Sequence, residues 1–251
     1  MTTQPPVLTV WSDLGCPWAS AALHTLRTTA ARLGAALLID HRAFALELFN
    51  RRPTPKHIVE SEIVAIAAQR PELGWRLWAG RDWEYPVTTL PPMEAVQAAK
   101  HPDVGGLRAS DELDAALRHA YYAESRCVSL RPVILDIAGE CPSVDADALA
   151  GALAEGAGSA LVHQDWLTAA GPSIQGSPHL FAPDGLLPPE GLHNPGVRYA
   201  WTGDPDRGGF PRLDEYRTDW AEQLVGALAD HAAGDGHRPA GRAAEPNGDD
   251  R

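Results

Sequence analysis

Cysteine is nearly absent from this chain. Only Cys16, Cys127 and Cys141 stand among 251 residues. An odd, low count does not describe a disulfide framework. No Cys/His spacing suits a structural zinc site, so no metal is expected. Cations are also in deficit: 21 Lys and Arg face 33 Asp and Glu, a formal charge of −12. A field of that sign repels phosphate backbones and argues against nucleic acid as a partner. No stretch approaches the roughly 18 unbroken apolar residues of a membrane span, so no membrane association is expected. The opening MTTQPPVLTVW has no basic segment followed by an apolar one. That argues against a secretory leader and for a cytoplasmic location. Nothing in the sequence points to an oligomeric state.

What is present organises well. Hydrophobic residues make up 44% of the chain, enough for a buried core. Residues 7–11, VLTVW, read as a buried strand. Ala19, Ala22, Leu23, Leu26, Ala30 and Leu33 recur at helical spacing, and Gly34 closes that helix. Residues 36–44 read as a second strand, giving a βαβ unit and a parallel pair. A helical block follows. Thr54 and Pro55 suit an N-cap and a first helical position. Ser110 and Ser129 look like caps of later helices, and 91–100, 145–155 and 158–170 read as helices. Strand character returns at 178–182, ahead of a Pro183-Asp184-Gly185 turn, and again at 197–202. His193-Asn194-Pro195-Gly196 reads as a turn. Leu213, Tyr216, Trp220, Leu224 and Leu228 share one face of a helix expected over 213–231. The small, polar residues 232–251 are expected to be a disordered tail.

The chemistry concentrates in GCPWAS, residues 15–20. Cys16-Pro17-Trp18 starts like a redox Cys-x-x-Cys motif, but Ala19 stands where the second cysteine belongs. A cysteine at a helix start has its thiolate favoured by unpaired N–H groups and the macrodipole. Pro17 pre-sets the first turn, and Trp18 can shield the sulfur. Ser12 and Ser20 can hydrogen-bond a thiolate or simply serve as caps. Pro178, in Gly176-Ser177-Pro178, is either a cis-proline beside the ligand or an ordinary trans-proline opening a strand. His179 can assist proton transfer, unless strand alternation sends it away. The aromatics Trp75, Trp78, Trp83 and Tyr85 either wall a substrate pocket, with Trp83 and Tyr85 as its contacts, or fill a junction. Cys127 lies beside Arg126, whose charge can lower its pKa. It either resolves Cys16 or packs at a helix junction. Cys141 is the weaker alternative.

VWSDLGCPWAS (10–20), LDAALRHAYYAESRCVSLRPVILDIA (113–138) and IQGSPHLFAPDG (174–185) resemble, in order and spacing, the DsbA family of thioredoxin-fold proteins. The similarity is greatest to its FrnE-like cytoplasmic branch and covers roughly residues 7–230. The resemblance implies an α/β, thioredoxin-like fold with a helical insertion domain. The thioredoxin-like domain would be formed by 7–50 and 171–231, with 51–170 as the insertion. It further implies that Cys16 is the nucleophile, Pro178 the cis-proline and Ser177 part of the ligand groove.

The departure at Ala19 sets the functional question. A dithiol enzyme clears its mixed disulfide with the second cysteine. Here Cys16 can attack, but release must come from elsewhere. The leading expectation is a thiol–disulfide oxidoreductase working as a monothiol, released by a low-molecular-weight thiol, with no tightly bound cofactor. Its partner would be a small thiol or a protein thiol or disulfide. The alternative is a thiol-dependent cis–trans isomerase or transferase acting on a small conjugated molecule, such as one of natural-product biosynthesis. The DsbA family resembles kappa-type glutathione transferases and 2-hydroxychromene-2-carboxylate isomerases, which use one thiol. A non-catalytic peptide-binding or holdase module is the third reading.

Overall fold

The computed structural model describes residues 5–183 and 185–235. The expected turn at Pro183-Asp184-Gly185 centres on Asp184, which lies outside them, as do 236–251 of the expected tail.

Strand β1 (Val7–Ser12) runs into helix α1 (Pro17–Leu33), which returns to β2 (Leu38–Ala43). β1 and β2 pair in parallel, with Val7 opposite Leu38 and Ser12 opposite Ala43. A short α2 (Leu46–Asn50) leads into α3 (Lys56–Gln69), α4 (Leu90–Ala98), α5 (Gly106–Tyr122), α6 (Arg131–Gly139), α7 (Ala146–Ala154) and α8 (Ala157–Ala169). The chain then re-enters the sheet as β3 (His179–Phe181) and β4 (Leu192–His193), for a strand order β2-β1-β3-β4. This is the expected thioredoxin-like α/β architecture, with a helical block between β2 and β3.

α1 forms for local reasons. Pro17 occupies its first turn, where a missing N–H costs nothing. Gly34 ends it in the left-handed region (φ 63°), donating its N–H to Ala30 O and Ala31 O. Leu23 and Leu26 pack with Leu8 and Val10 of β1 and with Leu224 and Leu228 of the final helix. Each of these fully buried side chains contributes roughly 1.5–3 kcal/mol. A second core, around Leu113, Leu117, Ile134, Ile137 and Leu149, holds the helical block together.

Several boundaries differ from expectation. Residues 210–216 are not helical. They form β6 (Phe210–Tyr216), which pairs antiparallel with β5 (Val197–Thr202) as a separate hairpin. Leu213 and Tyr216 satisfy a helical spacing by coincidence; Leu213 faces Tyr199 across the hairpin. The last helix, α9, spans Asp219–Asp235, so residues 232–235 of the expected tail continue it. The fourth strand of the main sheet is Leu192–His193, partly where a turn was expected. Neither serine caps its helix. Ser110 lies within α5 and its hydroxyl donates to Val96 O of α4, and that of Ser129 donates to Thr88 O. Pro55, not Thr54, is the N-cap residue of α3.

One buried network joins α5 to the end of β1. Arg118 Nε donates to both Asp114 carboxylate oxygens at 2.9 Å. Its Nη2 donates to Ser12 Oγ at 2.9 Å, and its Nη1 to Ser20 Oγ at 2.7 Å and Asp13 O at 3.1 Å. Arg27 of α1 bridges Asp111 and Asp114, each at 2.6 Å. Burial opposes ionisation of both carboxyls. The charges around them outweigh it, holding Asp111 at about 2 and Asp114 well below the usual carboxylate range.

Two outcomes follow. Arg118→Met removes one of the two guanidinium groups on buried Asp114 and the donor to Ser12 and Ser20, and should lower the unfolding free energy in urea by about 2–4 kcal/mol; a change below about 1 kcal/mol would show the network to be incidental. Carboxyls depressed in the fold stabilise it above their unfolded value near 3.9 and lose that contribution as pH falls through the folded values. The thermal midpoint should therefore drop steadily between about pH 4 and 2.

Candidate functional site

Cys16 is the N-cap residue of α1, in extended conformation (φ −87°, ψ 111°), immediately ahead of Pro17. Its thiol donates to Ser177 O at 3.3 Å. The Ser177–Pro178 peptide is cis. Asp13 ties the surrounding loops together. Its carboxylate accepts from Gly15 N, Leu46 N and Thr89 Oγ1, and its own N–H donates to Ser177 Oγ. A Cβ at Gly15 would stand 2.8 Å from Thr89 Cγ2, so a larger residue there has to displace Thr89.

Cys16, Trp18, Leu46, Pro53, Ile58, Glu62, Ser177, Tyr199 and Trp201 line an open groove of ≈ 270 Å³. The β5–β6 hairpin forms one wall: Tyr199 stacks on Trp18 with centroids 4.4 Å apart. Across the mouth, Arg52 Nη2 reaches both carboxylate oxygens of Asp206 at 2.7 Å.

The thiol is not the activated one that a helix start suggested. Burial first, and the Glu62 carboxyl second, push Cys16 up to about 12. Ser177 and the Ala19 N–H pull the other way without offsetting them. Only 5% of Cys16 is exposed, so the desolvation cost of a thiolate dominates. Glu62 itself is pushed up to about 7 by burial, against the hydrogen bond that its Oε1 accepts from Trp18 Nε1 at 2.8 Å. Sequence analysis did not single out Glu62. Its signal was a carboxylate among the apolar residues Ile58, Ala65 and Ile66 of α3.

Other candidates lie elsewhere. Ser12 is buried, and its hydroxyl accepts from Arg118, so it supports the turn rather than the sulfur. Ser20 Oγ donates to Cys16 O at 3.1 Å and likewise accepts from Arg118. Ala19 is fully buried. His179 is fully buried too: its Nδ1 accepts from Gln175 N and its Nε2 bonds to Glu190 O, so both nitrogens are engaged structurally. Trp83 is 78% exposed, stacked only by the Arg81 guanidinium, and does not line the groove. Tyr85 bonds the Tyr121 hydroxyl at 2.6 Å and lines a separate cavity of ≈ 20 Å³, too small for a substrate. Trp75 stacks on Tyr122 and Trp78 packs on Tyr85, so that loop fills the junction.

All three cysteines are free. Cys141 is buried in the core of the helical block and donates to Ile137 O, and burial raises it to about 11. Burial also raises Cys127, while Arg126 beside it engages Glu140 and Asp136 instead. Among the described residues, one His/Asp set, His41, Asp111 and Asp114, has ligand atoms within 4.8 Å of one another. Arg27 and Arg118 already neutralise those carboxylates, which makes the set an ion network rather than a metal cradle.

No protein-family model matches the sequence, and no curated protein matches it. Solved structures do. The cytosolic disulfide reductase DsbM from Pseudomonas aeruginosa superposes with a TM-score of 0.58 at 19% identity, over 91% of this chain and 98% of that one. The same protein with GSH gives 0.54 at 18% identity, over 91% and 98%. A probable DsbA oxidoreductase from Streptomyces coelicolor gives 0.57 at 19% identity, over 96% and 94%. A 2-hydroxychromene-2-carboxylate isomerase gives 0.54 at 12% identity, over 92% and 98%. At these identities the likeness is one of fold.

With both ring nitrogens of His179 committed, His179→Ala should cost about 2–4 kcal/mol of stability in chemical denaturation. It should leave the rate of Cys16 modification unchanged; a slowed rate would restore His179 to the chemistry.

Proposed function

We propose that this DsbA-type thioredoxin fold performs thiol–disulfide chemistry through one sulfur, Cys16, with an external thiol supplying the release step. The observation that carries the reading is a solitary thiol on the wall of a groove. Cys16 meets the Ser177 carbonyl there, Ala19 fills the resolving position, and the other two sulfurs belong to the helical block.

The reaction balances with two small thiols. The Cys16 sulfur attacks one sulfur of a disulfide; a mixed disulfide forms and one thiol leaves carrying the proton. A second thiol attacks the sulfur bound to Cys16, forms a new disulfide with it and gives its proton back to the Cys16 sulfur, so one entering thiol is oxidised for the one released. A groove of ≈ 270 Å³ lies at the lower end of ligand pockets and suits a low-molecular-weight disulfide. The DsbM structure containing GSH supports the same class of co-reactant.

A second reading draws on the high thiol pKa and the aromatic wall of Trp18, Tyr199 and Trp201. A neutral Cys16 S–H can donate to the thiolate of a bound small thiol. That thiolate would add to a conjugated alkene, allow rotation and leave again. The isomerase among the structural neighbours supports this class of reaction.

Intact-protein mass spectrometry separates the two. Treated with glutathione disulfide, the protein should gain one glutathione on Cys16, released by excess glutathione and absent in Cys16→Ser. Lack of any Cys16 adduct removes the first reading. Ala19→Cys should allow an internal disulfide, so that the adduct no longer accumulates. Turnover of a conjugated enone with glutathione and no disulfide, retained in Cys16→Ser, would select the second.

A further inference from the structure

A thiol that sits near pH 12 does not attack a disulfide at neutral pH unless something takes its proton as it reacts. We propose that Glu62 is that proton acceptor: its carboxylate, on the same groove wall as Cys16, receives the thiol proton during attack and returns it to the departing thiol. The inference rests on the monothiol reading and names the group that reading requires.

The geometry places both groups on one groove wall. Glu62 projects from α3, yet it lines the groove together with Cys16 and Ser177. One carboxylate oxygen, Oε1, is held by the Trp18 indole at 2.8 Å, and Trp18 is held in turn by its stack on Tyr199. Oε2 has no hydrogen-bond partner among the described residues, and no cation pairs with the carboxyl. A carboxyl only 8% exposed with neither a cation nor a second donor is costly for stability alone.

The titratable groups that act on this pair are few. Cys16 at the start of α1 and Tyr199 on β5 both feel the Glu62 charge, and Asp13 at the end of β1 acts on Cys16. Burial holds Cys16 and Tyr199 neutral at pH 7. On α3 and at its C-cap, Lys56 is occupied by Asp82 and Glu60, His57 by Pro205 O, and Arg70 by Glu72 and Tyr216. Arg52 at the groove mouth is held by Asp206. Burial raises both groups, so near neutral pH the groove holds an intact Cys16 S–H and a carboxyl able to ionise, the protonation states that a thiol and its proton acceptor require.

In the step, the Cys16 S–H bond breaks as the sulfur attacks RS–SR. The proton passes to Glu62, directly or through one water, and then to RS⁻, leaving Cys16–S–SR and RSH. Sulfur is oxidised at Cys16 and reduced in the leaving thiol. No further reactant is needed.

The test uses 2-hydroxyethyl disulfide, which does not titrate, with adduct formation at Cys16 followed by mass spectrometry and peptide mapping. In the wild-type protein the rate should rise with pH through about 7 and then level, as Glu62 ionises. Glu62→Gln keeps the acceptor for Trp18 and should slow the reaction at pH 7.5 by roughly 10²-fold while removing that inflection. Glu62→Asp should retain the inflection. If Glu62 acted only by its charge, Glu62→Gln would lower the thiol pKa and speed the reaction. An equal or faster rate therefore overturns the proposal. So does a wild-type profile without the inflection, which decides the matter even if the variant does not fold. A wild-type protein that forms no Cys16 adduct at any pH overturns the monothiol reading itself.

Discussion

The guanidinium of Arg118 is the constraint on which the site depends. It is 5% exposed and has acceptors on two sides. On one side lies Asp114 of its own helix; on the other lie Ser12, Ser20 and the Asp13 carbonyl at the turn that carries Cys16. A buried ion pair contributes little net stability against an apolar replacement. What a guanidinium provides is a rigid fork of five donors, which accepts only one arrangement of partners. Tyr122, one turn further along α5, adds its hydroxyl to Leu14 O at 3.1 Å. The helical block therefore fixes where α1 begins, and with it where the sulfur points.

Two opposing effects meet at that point. A helix start favours a thiolate, and burial beside a carboxyl disfavours it. Here burial is nearly complete, so desolvation wins and the resting sulfur is a hydrogen-bond donor to Ser177 O. A dithiol enzyme would want the opposite, a stable thiolate and a nearby partner to close on. A buried, hydrogen-bonded S–H reacts with a disulfide only when its proton is taken up, so the resting sulfur is a quiet one.

The sequence made the frame legible because the frame is local. VLTVW, the Pro17 helix start and the Gly34 stop each announce themselves within a few residues, and together they imply the parallel β1–β2 pair. The helical block is equally local, with Leu113 and Leu117 four residues apart on α5. What escaped depends on contacts distant in sequence. Glu62 meets Trp18 across 44 positions, and no pattern in either segment reveals it. His179 follows Pro178 directly, but its ring is enclosed between Gln175 and Glu190. Leu213 and Tyr216 fitted a helical spacing, and only the pairing with β5 shows that the period there is two. Trp83 illustrates the limit for aromatics: composition counts a tryptophan as a pocket wall whether it faces a groove or, as here, solvent.

The β5–β6 hairpin brings these threads together. It shares no hydrogen-bonded strand with the main sheet, and an isolated two-stranded hairpin is marginal in water. Its position therefore rests on side chains: Val197, Tyr199 and Leu213 packed against Trp18, Ile66 and Leu73, and Tyr216 against Arg70. The Arg52–Asp206 pair across the mouth is about half exposed and adds little. Trp18 is thus the keystone of the wall, and Glu62 holds Trp18. That link survives a change of protonation, because a carboxyl oxygen accepts from an indole N–H whether the group is ionised or neutral. A proton can come to Glu62 and leave again while the aromatic wall beside Cys16 stays where it is. A group that had to break a structural bond in order to titrate could not serve both purposes.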